Sequence, residues 1–164
     1  MLPLTTMTAT RTAPNMWLTS IYSGVITAIA GLAFVLLFKA EMPVLYIPAF
    51  LLLGAGPVLG YGFATGRLGS DWKSLIGGIL GFLLLILGPI LWAILVGALD
   101  KTQNVGRLLL GSVIGLILGI VVFLSLGSLM GQDPAWFGFG FIMGWAVWGG
   151  TAGATMIAWG NPEG

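Results

Sequence analysis

Few side chains in this sequence could carry out acid–base or metal chemistry. The 164 residues include 6 Lys and Arg, 5 Asp and Glu, no His and no Cys. The common ligands of haem, zinc, copper and iron–sulfur clusters are therefore missing, as are thiolate nucleophiles and the usual proton carrier at neutral pH. Asp71 with Lys73 and Asp100 with Lys101 are the nearest acid–base neighbours, and solvated loop charge explains both pairs. We predict a protein that is not an enzyme and that has no metal or covalent cofactor.

A repeated Gly-Pro motif is the most unusual feature of the chain. Residues 50–57 are FLLLGAGP and residues 82–89 are FLLLILGP, 32 residues apart. Both copies lie inside long apolar runs, so each predicts a hydrophobic helix that a proline interrupts in its interior. Consecutive spanning helices run in opposite directions, so we expect the two copies to be antiparallel neighbours. Paired interruptions of this kind mark transport sites in some membrane proteins. The candidate kink and pathway residues are Gly56, Pro57, Gly88 and Pro89.

A weaker repeat links two other apolar runs. Residues 23–26 are SGVI and residues 111–114 are GSVI, 88 residues apart. In a five-span chain these copies would also be inverted relative to each other, as the repeats of several transporter folds are.

Glycine spacing indicates close helix packing. The segment from 111 to 119 carries glycine at every fourth residue, a GxxxGxxxG pattern that lets two helix backbones approach each other. The last apolar run is also rich in glycine. The candidate helix-packing residues are Gly111, Gly115, Gly119, Gly144, Gly149 and Gly153.

Two tryptophans lie near the middle of the last apolar run. An indole N–H at that depth needs a partner inside the protein. Trp145 and Trp148 could fill the space left by glycines on neighbouring helices, or they could form a wall against a lipid, quinone or pigment. They are the candidate contacts for such a molecule.

Composition places the chain in a membrane. It is 58 % hydrophobic and 7 % charged, with a mean hydropathy of +1.07, whereas soluble domains have about 25 % charged residues. We predict an all-α integral membrane protein, a bundle of five transmembrane helices with short loops, of which helices 2 and 3 are Gly-Pro-interrupted. One transmembrane domain, residues 17–160, lies between a flexible N-terminal tail, 1–16, and a C-terminal tail, 161–164. The expected spans are 17–38, 44–66, 74–99, 108–129 and 135–159.

The basic residues do not orient a five-span bundle. Five spans put the two termini on opposite sides of the membrane, with three basic residues on each side. Arg11, Arg67 and Lys73 lie on the N-terminal side, and Lys39, Lys101 and Arg107 lie on the other. The positive-inside rule is therefore tied. We expect a prokaryotic cytoplasmic membrane with the N-terminus in the cytoplasm.

Two functional hypotheses follow from these features. Every Asp, Glu, Lys and Arg lies outside the predicted spans, which argues against proton pumps, ion-coupled carriers and intramembrane hydrolases. The first hypothesis is a non-catalytic accessory or scaffold subunit that packs through glycine-rich faces in a larger membrane complex and contacts a lipid, quinone or pigment. The second is a small dimeric carrier or channel for a neutral or hydrophobic solute, with its path at the Gly-Pro breaks. The expected partners are other membrane subunits or a second copy, together with bilayer lipids; a net charge of +1 excludes nucleic acid.

Overall fold

The protein is built from six α-helices and two short 3₁₀ segments in the part of the chain that the structure describes. This computed structural model describes residues 15–68, 72–130 and 134–158. The elements in chain order are α1 (Met16–Lys39), a 3₁₀ segment (Pro43–Leu45), α2 (Tyr46–Thr65), α3 (Trp72–Gly81), a 3₁₀ segment (Phe82–Leu87), α4 (Gly88–Leu99), α5 (Val105–Met130) and α6 (Pro134–Ala158). Most of the two predicted tails lies outside the described residues.

Among the described residues, three helical stretches are long and apolar enough to cross a membrane: Met16–Lys39, Pro43–Thr65 and Val105–Met130. The fold is therefore all-helical, as expected, and its long apolar helices are those of an integral membrane protein. Helix α6 has 25 residues but is not among the three.

The predicted third span, 74–99, is not one helix. A continuous helix of these 26 residues would separate its ends by about 39 Å. Instead, the Ser74 hydroxyl donates a hydrogen bond to Asp100 Oδ2 at 2.8 Å, so the two ends meet. Helices α3 and α4 form an antiparallel hairpin, and the 3₁₀ segment Phe82–Leu87 is its tip. The structure thus does not confirm a five-span bundle.

Glycines on α3 explain why the chain folds back here. A methyl group at Gly81 would lie 2.5 Å from Trp92 Cα, and one at Gly77 would lie 3.0 Å from the Leu95 carbonyl carbon. Only glycine lets the two backbones come this close. Pro89 is in the first turn of α4, where a helix loses no hydrogen bond to proline. It therefore begins a helix and does not kink one, contrary to the sequence prediction.

The long helices run in alternating directions. Gly60 lies on Ser23 and Gly56 lies on Thr27, so α2 is antiparallel to α1. Helix α6 is antiparallel to both α1 and α5. One end of the bundle, here called the basic end, contains the start of α1, the end of α2, both ends of the hairpin, the start of α5 and the end of α6. The other end, the far end, contains residues 40–45, the end of α5 and the start of α6.

The two Gly-Pro copies run in the same direction. Helix α2 runs from the far end to the basic end, and α4 runs from the hairpin tip to the basic end. The predicted antiparallel arrangement is wrong, because the extra reversal at residues 82–87 was not visible in the apolar pattern. The weaker repeat is parallel too, since α1 and α5 share a direction.

Aromatic side chains form the centre of the bundle. Trp92 is 0 % exposed, and Trp148 and Phe82 are each 1 % exposed. The Trp92 and Trp148 rings meet edge to face at 5.6 Å, and the Phe82 and Trp148 rings are 5.0 Å apart. The hairpin tip is thereby fixed against α6.

Candidate functional site

Serine hydroxyl groups bind the carbonyls of both Gly-Pro prolines. Pro57 and Pro89 are fully buried. The Ser23 hydroxyl of α1 donates to the Pro57 carbonyl at 3.1 Å, and the Ser112 hydroxyl of α5 donates to the Pro89 carbonyl at 2.7 Å. These two serines belong to the SGVI and GSVI repeat, so each serine copy pairs with one Gly-Pro copy.

Two indole groups also donate hydrogen bonds beside the two Gly-Pro copies. Trp92 Nε1 donates to the Gly54 carbonyl at 2.9 Å, and Trp148 Nε1 donates to Ser112 Oγ at 3.0 Å. Ser112 thus accepts one hydrogen bond and donates another. Burying these polar groups therefore costs little free energy. The described residues around Gly56–Pro57 and Gly88–Pro89 form a packed centre rather than a polar path.

The predicted packing glycines face other helices of the same chain. A methyl group at Gly111 would lie on the Thr155 side chain, one at Gly115 would be 3.0 Å from Thr151 Cβ, and one at Gly119 would be 2.6 Å from the Gly144 carbonyl oxygen. All three contacts join α5 to α6.

The remaining α6 glycines face α1. A methyl group at Gly149 would lie on Thr27, and one at Gly153 would lie on Ser23. Helix α6 therefore lies between α1 and α5, held by glycines on both of its sides. These close contacts form the inside of the fold, and of this set only Gly144 is partly exposed.

The structure separates the two candidate tryptophans. Trp148 is buried and its N–H is satisfied by Ser112. Trp145, three residues earlier, is only partly buried and packs against Phe82 with ring centroids 5.4 Å apart. Trp145 thus has a face available for another molecule, whereas Trp148 belongs mainly to the core.

A groove of about 180 Å³ lies between α5 and α6. Its lining contains no hydroxyl, carboxyl or amine group and presents almost no polar surface. The residues that line it are Leu116, Gly119, Ile120, Phe123, Gly140, Phe141, Gly144, Trp145 and Trp148. It brings together both candidate tryptophans and two of the candidate glycines, Gly119 and Gly144. We refer to it as the α5–α6 groove.

The hairpin explains why this groove exists. Pro89, the first proline of α4, contacts α5 at Ser112, only seven residues into a 26-residue helix. Beyond the tip, α5 has no hairpin beside it, and the groove begins there, at Leu116. Gly119, Gly140 and Gly144 have no side chains to fill the space. No described residue of the α3–α4 hairpin lines the groove.

The charged side chains of the described residues lie at helix ends or in connections, away from the groove. Lys39 and Glu41 are at the far end. The basic end holds Arg67, Lys73, Asp100, Lys101 and Arg107. Asp100 accepts hydrogen bonds from Ser74 and from the amide and hydroxyl of Thr102, so its role there is to join the hairpin ends. Asp71 lies outside the described residues.

Comparison of the chain with protein-family models, with curated proteins and with solved structures found no match. Within the described residues, no three His, Cys, Asp or Glu side chains lie close enough together to hold a metal ion. The site is therefore characterised by its own geometry, which is that of an apolar groove.

Sequence reasoning missed Ser112 and Trp92. Ser112 lies inside the GxxxGxxxG segment, and its sequence signal was the GSVI repeat. Trp92 gave no signal, because only the fold-back of α4 brings its indole to the Gly54 carbonyl.

Proposed function

We propose that this chain is a non-catalytic membrane subunit that holds the apolar part of a lipid-like molecule in the α5–α6 groove, in an accessory or scaffold role within a larger membrane complex. The observation that carries the proposal is the groove itself, which has an apolar lining and lies between the apolar helices α5 and α6. The described residues offer no group of titratable side chains at this groove. In this proposal the protein acts by binding the lipid-like molecule and by contacting the other subunits of the complex. The buried, packed surroundings of Pro57 and Pro89 give no support to a solute path.

The proposal includes a revised topology. Helices α3 and α4 have 10 and 12 residues, or about 15 and 18 Å, whereas a bilayer core is about 30 Å thick. We propose that α1, α2, α5 and α6 span the membrane and that the α3–α4 hairpin is re-entrant, entering and leaving at the basic end. Non-helical backbone at its tip is acceptable in a membrane because the tip packs against protein.

This topology also orients the protein. With a re-entrant hairpin, Arg67, Lys73, Lys101 and Arg107 all lie at the basic end, and Lys39 alone among the described basic residues lies at the far end. The positive-inside rule then places the basic end in the cytoplasm. The three-against-three tie of the five-span prediction arose because that prediction put residues 100–107 on the opposite side.

Single-cysteine labelling tests the topology. The chain has no cysteine, so Ala40→Cys, Leu68→Cys and Gly106→Cys each create one reactive thiol at an exposed position. With a membrane-impermeant maleimide on sealed vesicles, we expect Leu68→Cys and Gly106→Cys to react from one side and Ala40→Cys from the other. Reaction of Gly106→Cys from the same side as Ala40→Cys would support the five-span bundle and contradict the re-entrant hairpin.

Native mass spectrometry tests the function. We expect the protein, extracted in mild detergent, to retain an apolar molecule and partner chains. Ile120→Trp should displace the molecule, because Ile120 lines the groove and is 49 % exposed. Leu118→Trp is the matched control, since Leu118 is 46 % exposed and lies about 200° around the helix from Ile120. A bare, partner-free chain, or equal loss in both variants, would contradict the proposed function.

A further inference from the structure

We infer that the α5–α6 groove takes the acyl chain of a phospholipid from the non-cytoplasmic leaflet. This inference rests on the proposed function and deepens it, because it specifies both the chemical class of the bound molecule and the side of the membrane that supplies it.

The lining selects a hydrocarbon chain over a polar ring. A quinone or pigment ring carries carbonyl groups, and a buried carbonyl without a hydrogen-bond donor is unfavourable. The lining exposes almost no polar surface. Of its two indole N–H groups, that of Trp148 is bonded to Ser112, and that of Trp145 contributes almost nothing to the exposed lining. An acyl chain has no polar group to satisfy. Apolar cavities of about 150 Å³ bind small hydrocarbons, and a groove of about 180 Å³ admits a segment of such a chain.

The depth of the groove selects one leaflet. Its α5 residues run from Leu116 to Phe123, 11 to 18 residues from the start of α5 at the basic end, which is about 17 to 27 Å along a helix of about 39 Å. Its α6 residues run from Gly140 to Trp148, beginning six residues from the start of α6 at the far end. Trp148 is 14 residues, or about 21 Å, from that start, so the groove begins near the middle of the bundle and lies mostly in the half nearer the far end. The hairpin lies in the half nearer the basic end.

The charge distribution identifies that leaflet. Four of the described basic residues lie at the basic end and one lies at the far end. The far end is therefore on the non-cytoplasmic side. A chain from the opposite leaflet would have to pass the hairpin tip, where Phe82 lies against Trp145 and Trp148 with centroid distances of 5.4 and 5.0 Å.

Leaflet-specific photocrosslinking tests the inference. The full chain with Ala40→Cys is reconstituted in vesicles. Vesicles that expose residue 40 on their outer surface are labelled with an impermeant biotin maleimide and captured. The flow-through contains the vesicles in which the protein has the opposite orientation. A phosphatidylcholine with a diazirine in its acyl chain is then exchanged into the outer leaflet only and photolysed. We expect crosslinks in α5 and α6 peptides of the captured vesicles and their loss from the flow-through. Ile120→Trp should remove them, and Leu118→Trp should leave them.

The possible outcomes separate the two proposals. Equal crosslinking in both populations, or crosslinking only in the inverted one, would overturn the leaflet assignment while leaving a lipid-holding groove in place. Crosslinking that Ile120→Trp does not reduce would overturn the groove as the site. Absence of crosslinks in both populations would overturn the acyl chain, and the retained molecule in native mass spectrometry would then decide whether the proposed function stands with a different ligand.

Discussion

Ser74 and Asp100 are 26 residues apart in the chain and are joined by a hydrogen bond of 2.8 Å from Ser74 Oγ to Asp100 Oδ2. This one contact places the start of α3 beside the end of α4 and makes an apparent membrane span into a hairpin. The proposed topology and the proposed orientation both rest on the hairpin that this bond closes.

Removing the Ser74 hydroxyl should loosen the hairpin. Ser74→Ala deletes a partly buried hydrogen bond to a carboxylate, a change that costs about 1.5–3 kcal/mol in stability, while Asp100 keeps its two bonds to Thr102. We expect a lower midpoint of thermal unfolding in mild detergent. Ser128→Ala is the control, because the exposed Ser128 hydroxyl bonds only to the carbonyl of Ser125 in its own helix. Equal effects of the two variants would mean that the hairpin ends are held by other contacts.

Ser112→Ala should be more destabilising than Ser23→Ala. Both changes remove a hydroxyl from the carbonyl of a Gly-Pro proline. Only Ser112→Ala also leaves the buried Trp148 N–H without its acceptor, and an unsatisfied buried donor costs about 1–3 kcal/mol. Unfolding in mixed micelles of detergent and sodium dodecyl sulfate would give the two free energies. The reverse order would show that the Trp148 N–H finds another acceptor.

Gly119→Ala should weaken the contact between α5 and α6. The added methyl group would lie 2.6 Å from the Gly144 carbonyl oxygen, and backbone can move aside only if the two helices separate. Overpacking of this kind costs about 1–3 kcal/mol. We expect a lower unfolding midpoint in detergent. At Gly106 the nearest atom to an added methyl group is Asn104 Oδ1 at 3.4 Å, so Gly106→Ala should be neutral or slightly stabilising through its helix propensity. Similar destabilisation of both variants would contradict close α5–α6 packing.

Gly66→Ala should be destabilising although nothing surrounds the residue. Gly66 is the C-cap of α2 and has φ +69°, and no heavy atom lies within 4 Å of the position that a methyl group would take. The cost is therefore backbone strain alone, about 1–2 kcal/mol for a non-glycine residue in the left-handed region. Gly66→Asn should recover part of it, since asparagine accepts this conformation more readily. The same unfolding measurement checks both, and a neutral Gly66→Ala would show that α2 ends differently in the membrane.

The Ser–Pro pairs show how repeated sequence and repeated structure differ. Ser23 with Pro57 joins α1 to α2, and Ser112 with Pro89 joins α5 to α4. In the first pair the proline is inside a 20-residue helix, and in the second it begins a 12-residue one. The same residues therefore make the same hydrogen bond in two different helical contexts.

The sequence by itself determined the properties that depend on composition and local spacing. Apolar runs long enough to span a bilayer predicted an all-helical membrane protein, and the charges lie at helix ends, because an ionised group is too costly within a bilayer core. The four-residue spacing of Gly111, Gly115 and Gly119 predicted a close helix contact, and these glycines lie against α6.

Only the tertiary structure decided how residues 72–99 fold and what the glycines contact. An apolar run of this length can satisfy its backbone hydrogen bonds either as one tilted helix or as a hairpin packed on protein. Hydropathy therefore does not distinguish the two structures. The choice depends on non-local contacts: Gly81 against Trp92, Ser74 with Asp100, and Ser112 with Pro89. Those contacts join residues far apart in the chain, and for that reason the groove beyond the hairpin tip has no local signature in the sequence.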